Sequence, residues 1–87
     1  MYYRVPIKTD AYPRYVAVEF KSDAKTDRGL MRAMAKAIVD KLHTDVFEIT
    51  GRIYTKRYKD DWPRMGNRLS KADEHEVWRM AHEMLMG

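Results

Sequence analysis

The sequence predicts an α+β fold, a two-layer sandwich in which an antiparallel sheet of three or four strands carries two helices on one face. The predicted element order is β-β-α-β(β)-α. Two segments near the start alternate apolar and polar residues with the period of a strand. Two other segments space their apolar residues at helical intervals. If both helices pack on the apolar side of one sheet, the apolar faces of all these segments are buried. Two layers are therefore predicted.

The first two strands are predicted to form a hairpin. Residues 2–7 and 14–21 both alternate, and a loop at residues 9–13 joins them. In the first strand Tyr3, Val5 and Ile7 share one side, and Tyr2, Arg4 and Pro6 share the other. Because proline lacks a backbone N–H, we expect Pro6 to keep this strand at a sheet edge or to end its pairing there.

An amphipathic helix is predicted to follow residue 26. Thr26 or Asp27 best precedes the periodic run as its N-cap, with Ser22 as an earlier alternative, and residues 43–45 end it. The expected buried face consists of Leu30, Met31, Met34, Ala35, Ile38 and Leu42. A second helix should begin after Ser70, whose S-x-x-D sequence is similar to a capping box. Its expected buried stripe consists of Val77, Trp78, Ala81, Met84 and Leu85, whereas Met80 and Met86 fall off that stripe.

Between the helices, residues 46–58 are rich in β-branched and aromatic side chains and predict strand. Gly51 lies in the middle, and two geometries keep Phe47, Ile49 and Ile53 on one face. One is a long strand with Gly51 at a bulge, and the other is a hairpin whose loop is residues 50–52. Residues 59–69 are predicted to be loop, because Pro63 and other turn-forming residues interrupt them.

The composition predicts one domain spanning residues 1–87, with a small core and no staple. The absence of cysteine excludes disulfides, thiolate metal sites and cysteine nucleophiles, and it fits a cytoplasmic location. We expect no signal peptide, since the first ten residues lack an apolar core, and no membrane association, since no apolar run is long enough to span a bilayer. A monomer or a weak homodimer is expected.

The candidate binding segment is residues 52–68. It holds six cations and two carboxylates, so it carries the whole formal net charge of +4 and leaves the other 70 residues neutral. Its cations are Arg52, Lys56, Arg57, Lys59, Arg64 and Arg68, and its aromatic residues are Tyr54, Tyr58 and Trp62. In a strand only alternate residues face outward together, so Arg52, Tyr54, Lys56 and Tyr58 form the sharper candidate row. Trp62 can instead serve the core.

Cations interleaved with aromatic rings favour nucleic acid as the partner, because the cations would contact phosphates and the rings would stack on exposed bases. A second basic stripe, Arg28, Arg32 and Lys36, follows one side of the first helix. The alternative hypothesis is a protein–protein interaction module, such as a small inhibitor or adaptor of the kind phages encode. That module would dock on an acidic partner through the same face, a sheet edge or the helix end at residues 80–86.

Catalytic patterns are weak. The pairs His75–Glu76 and His82–Glu83 are seven residues apart, roughly 10 Å along a helix, so one metal ion would not reach both histidines. Asp60 and Asp61 resemble a turn more than a magnesium site. We therefore expect a non-enzymatic protein that uses neither a metal nor a cofactor.

Overall fold

The structure is a computed structural model that describes residues 1–11, 14–56, 64–65 and 69–87. Its elements, in chain order, are β1 (Tyr2–Lys8), β2 (Val16–Lys21), α1 (Asp27–Leu42), β3 (Glu48–Ile49), β4 (Tyr54–Lys56), β5 (Arg64–Met65) and α2 (Lys71–Met86). The strands form an antiparallel sheet in the spatial order β2-β1-β4-β5, and β3 also pairs with β1. The predicted α+β class and element order are confirmed. Neither described helix combines the length and apolar character that crossing a membrane requires.

β1 lies in the middle of the sheet, so the expectation that Pro6 keeps it at an edge is wrong. The Pro6 carbonyl accepts a hydrogen bond from the Thr50 N–H at 2.9 Å. In a strand, the N–H and C=O of one residue point to the same side. An N–H at position 6 would therefore point towards residues 50–53, as the Pro6 carbonyl does. Proline is tolerated here because the ladder is already interrupted at that point.

β3 and β4 are two pieces of one interrupted strand, and the hairpin geometry is not formed. Both pair antiparallel with β1, where Ile7 is opposite Ile49 and Arg4 is opposite Tyr54. Between these pairs β1 has two residues whereas the other strand has four, so residues 50–53 bulge out of the ladder. Gly51 lies in the bulge with a φ of 95°, which L side chains rarely adopt. Of the two expected geometries, the strand with Gly51 at a bulge is therefore the observed one.

β5 corrects the prediction that all of residues 59–69 are loop. It pairs with β4 on the side away from β1, with Tyr54 opposite Met65 and Thr55 opposite Arg64. Two residues are too few to show an alternating pattern, so this strand follows from the unpaired backbone groups that β4 offers rather than from local sequence. The rest of that segment, apart from Leu69, lies outside the described residues.

The core lies between the helices and one face of the sheet. Its buried members are Val5, Ile7, Val18, Met34, Ala35, Ile38, Phe47, Ile53, Val77, Met80 and Ala81. Each large side chain that is fully buried contributes on the order of 1.5–3 kcal/mol through the hydrophobic effect. The predicted caps are confirmed, because Thr26 Oγ1 accepts from the Gly29 N–H and Ser70 Oγ accepts from the Asp73 N–H, both at 3.1 Å. His43 ends α1 in the left-handed conformation.

The buried stripe of α2 is rotated relative to its prediction. Met80, expected off the stripe, is 2% exposed, whereas Leu85, expected on it, is 42% exposed. Glu74 is also buried at 6% exposure, because its carboxylate accepts a hydrogen bond from the Ile49 N–H at 2.8 Å. The stripe therefore follows Glu74, Val77, Met80 and Ala81. Trp78 and Met84, which were also expected on the stripe, pack beside it and are half-buried.

Candidate functional site

The face of the sheet turned away from both helices, called the open face below, carries the polar side of each strand. Side chains alternate along a strand, so the neighbours of the core residues Val5 and Val18 point to this face. Register places its residues opposite one another: Tyr2 with Lys21, Arg4 with Glu19 and with Tyr54, and Pro6 with Ala17. The open face therefore combines aromatic rings and cations from three adjacent strands.

Arg4 lies near the centre of the open face and is paired with Glu19 of β2. Its Nε and Nη2 both donate to the Glu19 Oε1, at 2.9 and 2.5 Å. The two side chains are 38% and 50% exposed, so water screens this ion pair. Surface pairs of this kind contribute at most about 1 kcal/mol, so a second anion can compete with Glu19 for the guanidinium. Beside this pair, Lys21 Nζ lies 5.7 Å from the centroid of the Tyr2 ring.

A depression of about 460 Å³ opens on this face, called the sheet depression below. It is lined by Arg4, Pro6, Tyr15, Ala17, Thr50, Gly51, Arg52 and Tyr54. The small lining residues Pro6, Ala17 and Gly51 are called its floor below. Among the described residues that line it, two are arginines and none is acidic. Positive charge beside aromatic rings suits a ligand that has both an anionic group and a flat apolar face.

Only part of the predicted row can be placed in this site. Arg52 is exposed, Tyr54 is half-buried, and both line the sheet depression, as their shared strand parity predicts. The backbone of Lys56 pairs with Tyr2 and that of Arg64 pairs with Thr55. The other predicted residues lie outside the described residues: Arg57, Tyr58, Lys59, Trp62 and Arg68.

The structure adds residues that the sequence reasoning did not assign to the site. Arg4 and Pro6 come from β1, Tyr15 precedes β2, and Ala17 lies within β2. The sequence contained one usable signal, since Arg4 shares strand parity with Tyr2 on the side opposite the apolar residues. The pairing of β1 with the strand at residues 48–56 was not visible, and that pairing brings Arg4 next to Arg52 and Tyr54.

The secondary basic stripe lies on α1, where Arg28, Arg32 and Lys36 are all exposed. Arg28 Nη1 is 3.6 Å from the Glu76 carboxylate of α2, and Lys36 Nζ is 2.9 Å from Asp40. Acidic neighbours therefore offset much of the positive potential along this stripe. The open face has a comparable pair, Arg4 with Glu19, whereas the described lining of the sheet depression, to which Arg52 belongs, contains no acidic residue.

The two His–Glu pairs on α2 have separate surroundings. His75 stacks on Trp78 with ring centroids 4.8 Å apart, and His82 Nδ1 lies 2.5 Å from Asp45 Oδ2. The hydrogen bond from His82 holds the pKa of the Asp45 carboxyl below its usual range. Within the described residues, no three histidine or acidic side chains converge as a metal site. Asp60 and Asp61 lie outside these residues.

At two points on the margins of the sheet, a side chain forms a hydrogen bond with a backbone group that points away from β1. Lys41 of α1 donates to the Ala17 carbonyl at 2.8 Å, on the side of β2 away from β1. On the other side, Glu74 accepts from the Ile49 N–H at 2.8 Å. Such contacts hinder the addition of a further strand at these points.

No known family model, no curated protein and no solved structure matches this chain. Function therefore has to be inferred from the geometry and chemistry of the site itself.

Proposed function

We propose that this protein is a non-enzymatic module that binds nucleic acid through the open face of its sheet. The observation that carries the proposal is the sheet depression, where Arg4 and Arg52 stand beside Tyr15 and Tyr54 on a face that neither helix covers. The absence of cysteine from the sequence fits a reducing compartment, so the proposal includes a cytoplasmic location.

In this proposal the two arginines contact backbone phosphates, and the tyrosine rings stack on bases. Guanidinium groups form forked, charge-assisted hydrogen bonds with phosphate oxygens. Stacking requires only the flat face of a base, so it tolerates different sequences. Binding should therefore depend strongly on salt and weakly on sequence.

The proposal is tested by comparing two variants that lose the same charge. Arg52→Ala removes a cation from the open face, whereas Arg32→Ala removes an exposed cation from α1. We expect Arg52→Ala to weaken binding of a fluorescent single-stranded oligonucleotide about two- to fivefold. The same change should reduce the slope of log affinity against log salt by about 0.7, because one phosphate contact is lost. Arg32→Ala should change both quantities less.

Two results would contradict the proposal. One is the absence of binding to DNA or RNA even at low salt. The other is an equal loss for Arg52→Ala and Arg32→Ala, because binding would then follow net charge rather than the open face.

A second candidate function, docking on another protein, is favoured by the exposed apolar end of α2. Leu85 and Met86 are 42% and 76% exposed there. Docking by added strands is less favoured, because Lys41 and Glu74 occupy outward backbone groups of the sheet. Copurification from nuclease-treated lysate separates the two functions. A partner that survives nuclease and is lost on Met86→Lys would support protein docking.

A further inference from the structure

We propose that the sheet depression holds one unstacked nucleobase, which makes single-stranded nucleic acid the preferred ligand. This inference rests on the proposed nucleic-acid function and adds to it the form of the ligand. Phosphate contacts alone would not distinguish a single strand from a duplex, whereas a pocket for a base would.

The floor of the depression consists of small residues, which leave space for a planar ring. Pro6 and Ala17 are register partners on adjacent strands, and Gly51 lies on the other side of Pro6. A Cβ atom placed on Gly51 would lie 3.8 Å from Pro6 Cγ, so Gly51 lies beside Pro6. None of the three carries a long side chain, and together they cross three strand positions, a width of about 10 Å. An aromatic base can lie on this surface.

The rims supply the groups that a nucleotide requires. Tyr15, which is 64% exposed, stands at the β2 side, and Tyr54 stands at the β4 side. Arg4 and Arg52 lie beside the same floor and can reach the phosphates on either side of a seated base. The volume of about 460 Å³ is within the range of small-ligand sites. In a duplex the bases are stacked and paired, so a base would have to flip out before it entered.

The test compares three forms of one short oligonucleotide: a homothymidine strand, the same strand with abasic sugars, and the homothymidine strand paired in a duplex. The abasic strand keeps the phosphates and loses only the bases. We expect the wild-type protein to bind the homothymidine strand about tenfold more tightly than the abasic strand, the effect of one stacked base. The duplex should bind more weakly than the single strand at equal salt.

Ala17→Leu should remove this preference, because the larger side chain fills the floor without changing the charge. Binding to the abasic strand should stay the same. The matched control is Ala72→Leu, the same substitution at an exposed position on α2, and it should leave the preference intact. Circular dichroism checks that each variant is folded. Tyr15→Ala, at an exposed position outside β2, provides the same test if Ala17→Leu does not fold.

Equal affinity of the wild-type protein for the homothymidine and abasic strands would overturn the base pocket. If that binding remained salt-dependent and sensitive to Arg52→Ala, the proposed nucleic-acid function would still stand. Absence of binding to every strand would overturn both. The pocket would also be overturned if a folded Ala17→Leu variant and Tyr15→Ala both kept the preference for the homothymidine strand over the abasic strand.

Discussion

At the scale of single residues, the contact that most affects the site is the ion pair between Arg4 and Glu19. Two guanidinium nitrogens of Arg4 donate to one carboxylate oxygen, an arrangement that a phosphate oxygen can replace. Glu19 therefore has two effects on an anionic ligand: it orients Arg4 on the open face, and it competes for the same donors. Competition should be the larger effect, because Arg4 also extends from the central strand, whose backbone fixes its position.

Glu19→Gln should accordingly increase the affinity for single-stranded nucleic acid. Its matched control is Asp40→Asn, which removes an exposed carboxylate that pairs with Lys36 on α1 at 2.9 Å. Both substitutions make the net charge more positive by one. We expect about a two- to fivefold gain for Glu19→Gln relative to Asp40→Asn, measured by titration at equal salt. Equal gains would show that only the overall charge matters, and a loss for Glu19→Gln would show that Glu19 mainly orients Arg4.

At the scale of elements, the break between β3 and β4 shapes the site. Residues 50–53 lie opposite only two residues of β1, so the interrupted strand contains two extra residues. Because side chains alternate with a period of two, this insertion keeps residues of the same parity on the core face before and after the bulge. The parity of Phe47, Ile49 and Ile53 was therefore readable from the sequence. The choice between bulge and hairpin was not, because both geometries preserve that parity and only pairing with the distant β1 distinguishes them.

Gly51→Ala tests whether the bulge requires its left-handed conformation. Among the described residues, a methyl group at Gly51 would meet only Pro6 Cγ, at an ordinary 3.8 Å, so its cost should come from the φ of 95°. We expect a loss of about 1–2 kcal/mol in the free energy of unfolding, measured with urea. Gly51→Asn should lose less, because asparagine tolerates positive φ better than alanine. Equal losses for the two variants would point to the added atoms rather than the backbone as the cause.

The helices show where amphipathic pattern is sufficient and where it fails. The pattern placed Met34, Ala35 and Ile38 of α1 correctly, because all of the side chains facing the core are apolar. On α2 the buried stripe begins with Glu74, whose burial depends on the Ile49 N–H, 25 residues earlier in the chain. A pattern of apolar residues alone omits this carboxylate and therefore predicts a stripe that includes Leu85, which is exposed. The local sequence does not show that the Ile49 N–H is available to bond Glu74.

At the scale of the whole molecule, the described cations differ in whether a nearby carboxylate offsets their positive charge. On the helices, Arg79 pairs with Glu76 and Glu83, and Arg28 also approaches Glu76. On the open face, Arg4 pairs with Glu19, whereas Arg52 is exposed and the sheet depression has no acidic residue among its described lining. The sequence predicted an uneven charge distribution from residues 52–68, and this stays a prediction because most of that segment lies outside the described residues. The charge pairing across α1 and α2 required the fold.

The ion-pair network on the helices predicts how stability depends on pH. The hydrogen bond from Arg79 is the main cause that lowers the pKa of the Glu76 carboxyl below its ordinary value of 4.5. Burial opposes this shift as the next largest effect, and the charges of Arg79 and Arg28 lower the pKa further. Because the pKa is lower in the folded protein, Glu76 stabilises the fold above about pH 4.5. That contribution is lost as the pH falls through the lowered value.

Glu76→Gln should therefore be less stable than the wild-type protein near neutral pH, and this difference should shrink as the pH falls below about 4. Urea denaturation at low ionic strength, from about pH 7 to about pH 3, measures the difference. The pairs are exposed, so added salt should reduce it at neutral pH. Asp45→Asn should behave similarly at somewhat lower pH, because His82 lowers the pKa of Asp45 from an ordinary value of 3.8. A Glu76→Gln deficit that stays constant across this range would show that packing, not the carboxylate charge, is what Glu76 contributes.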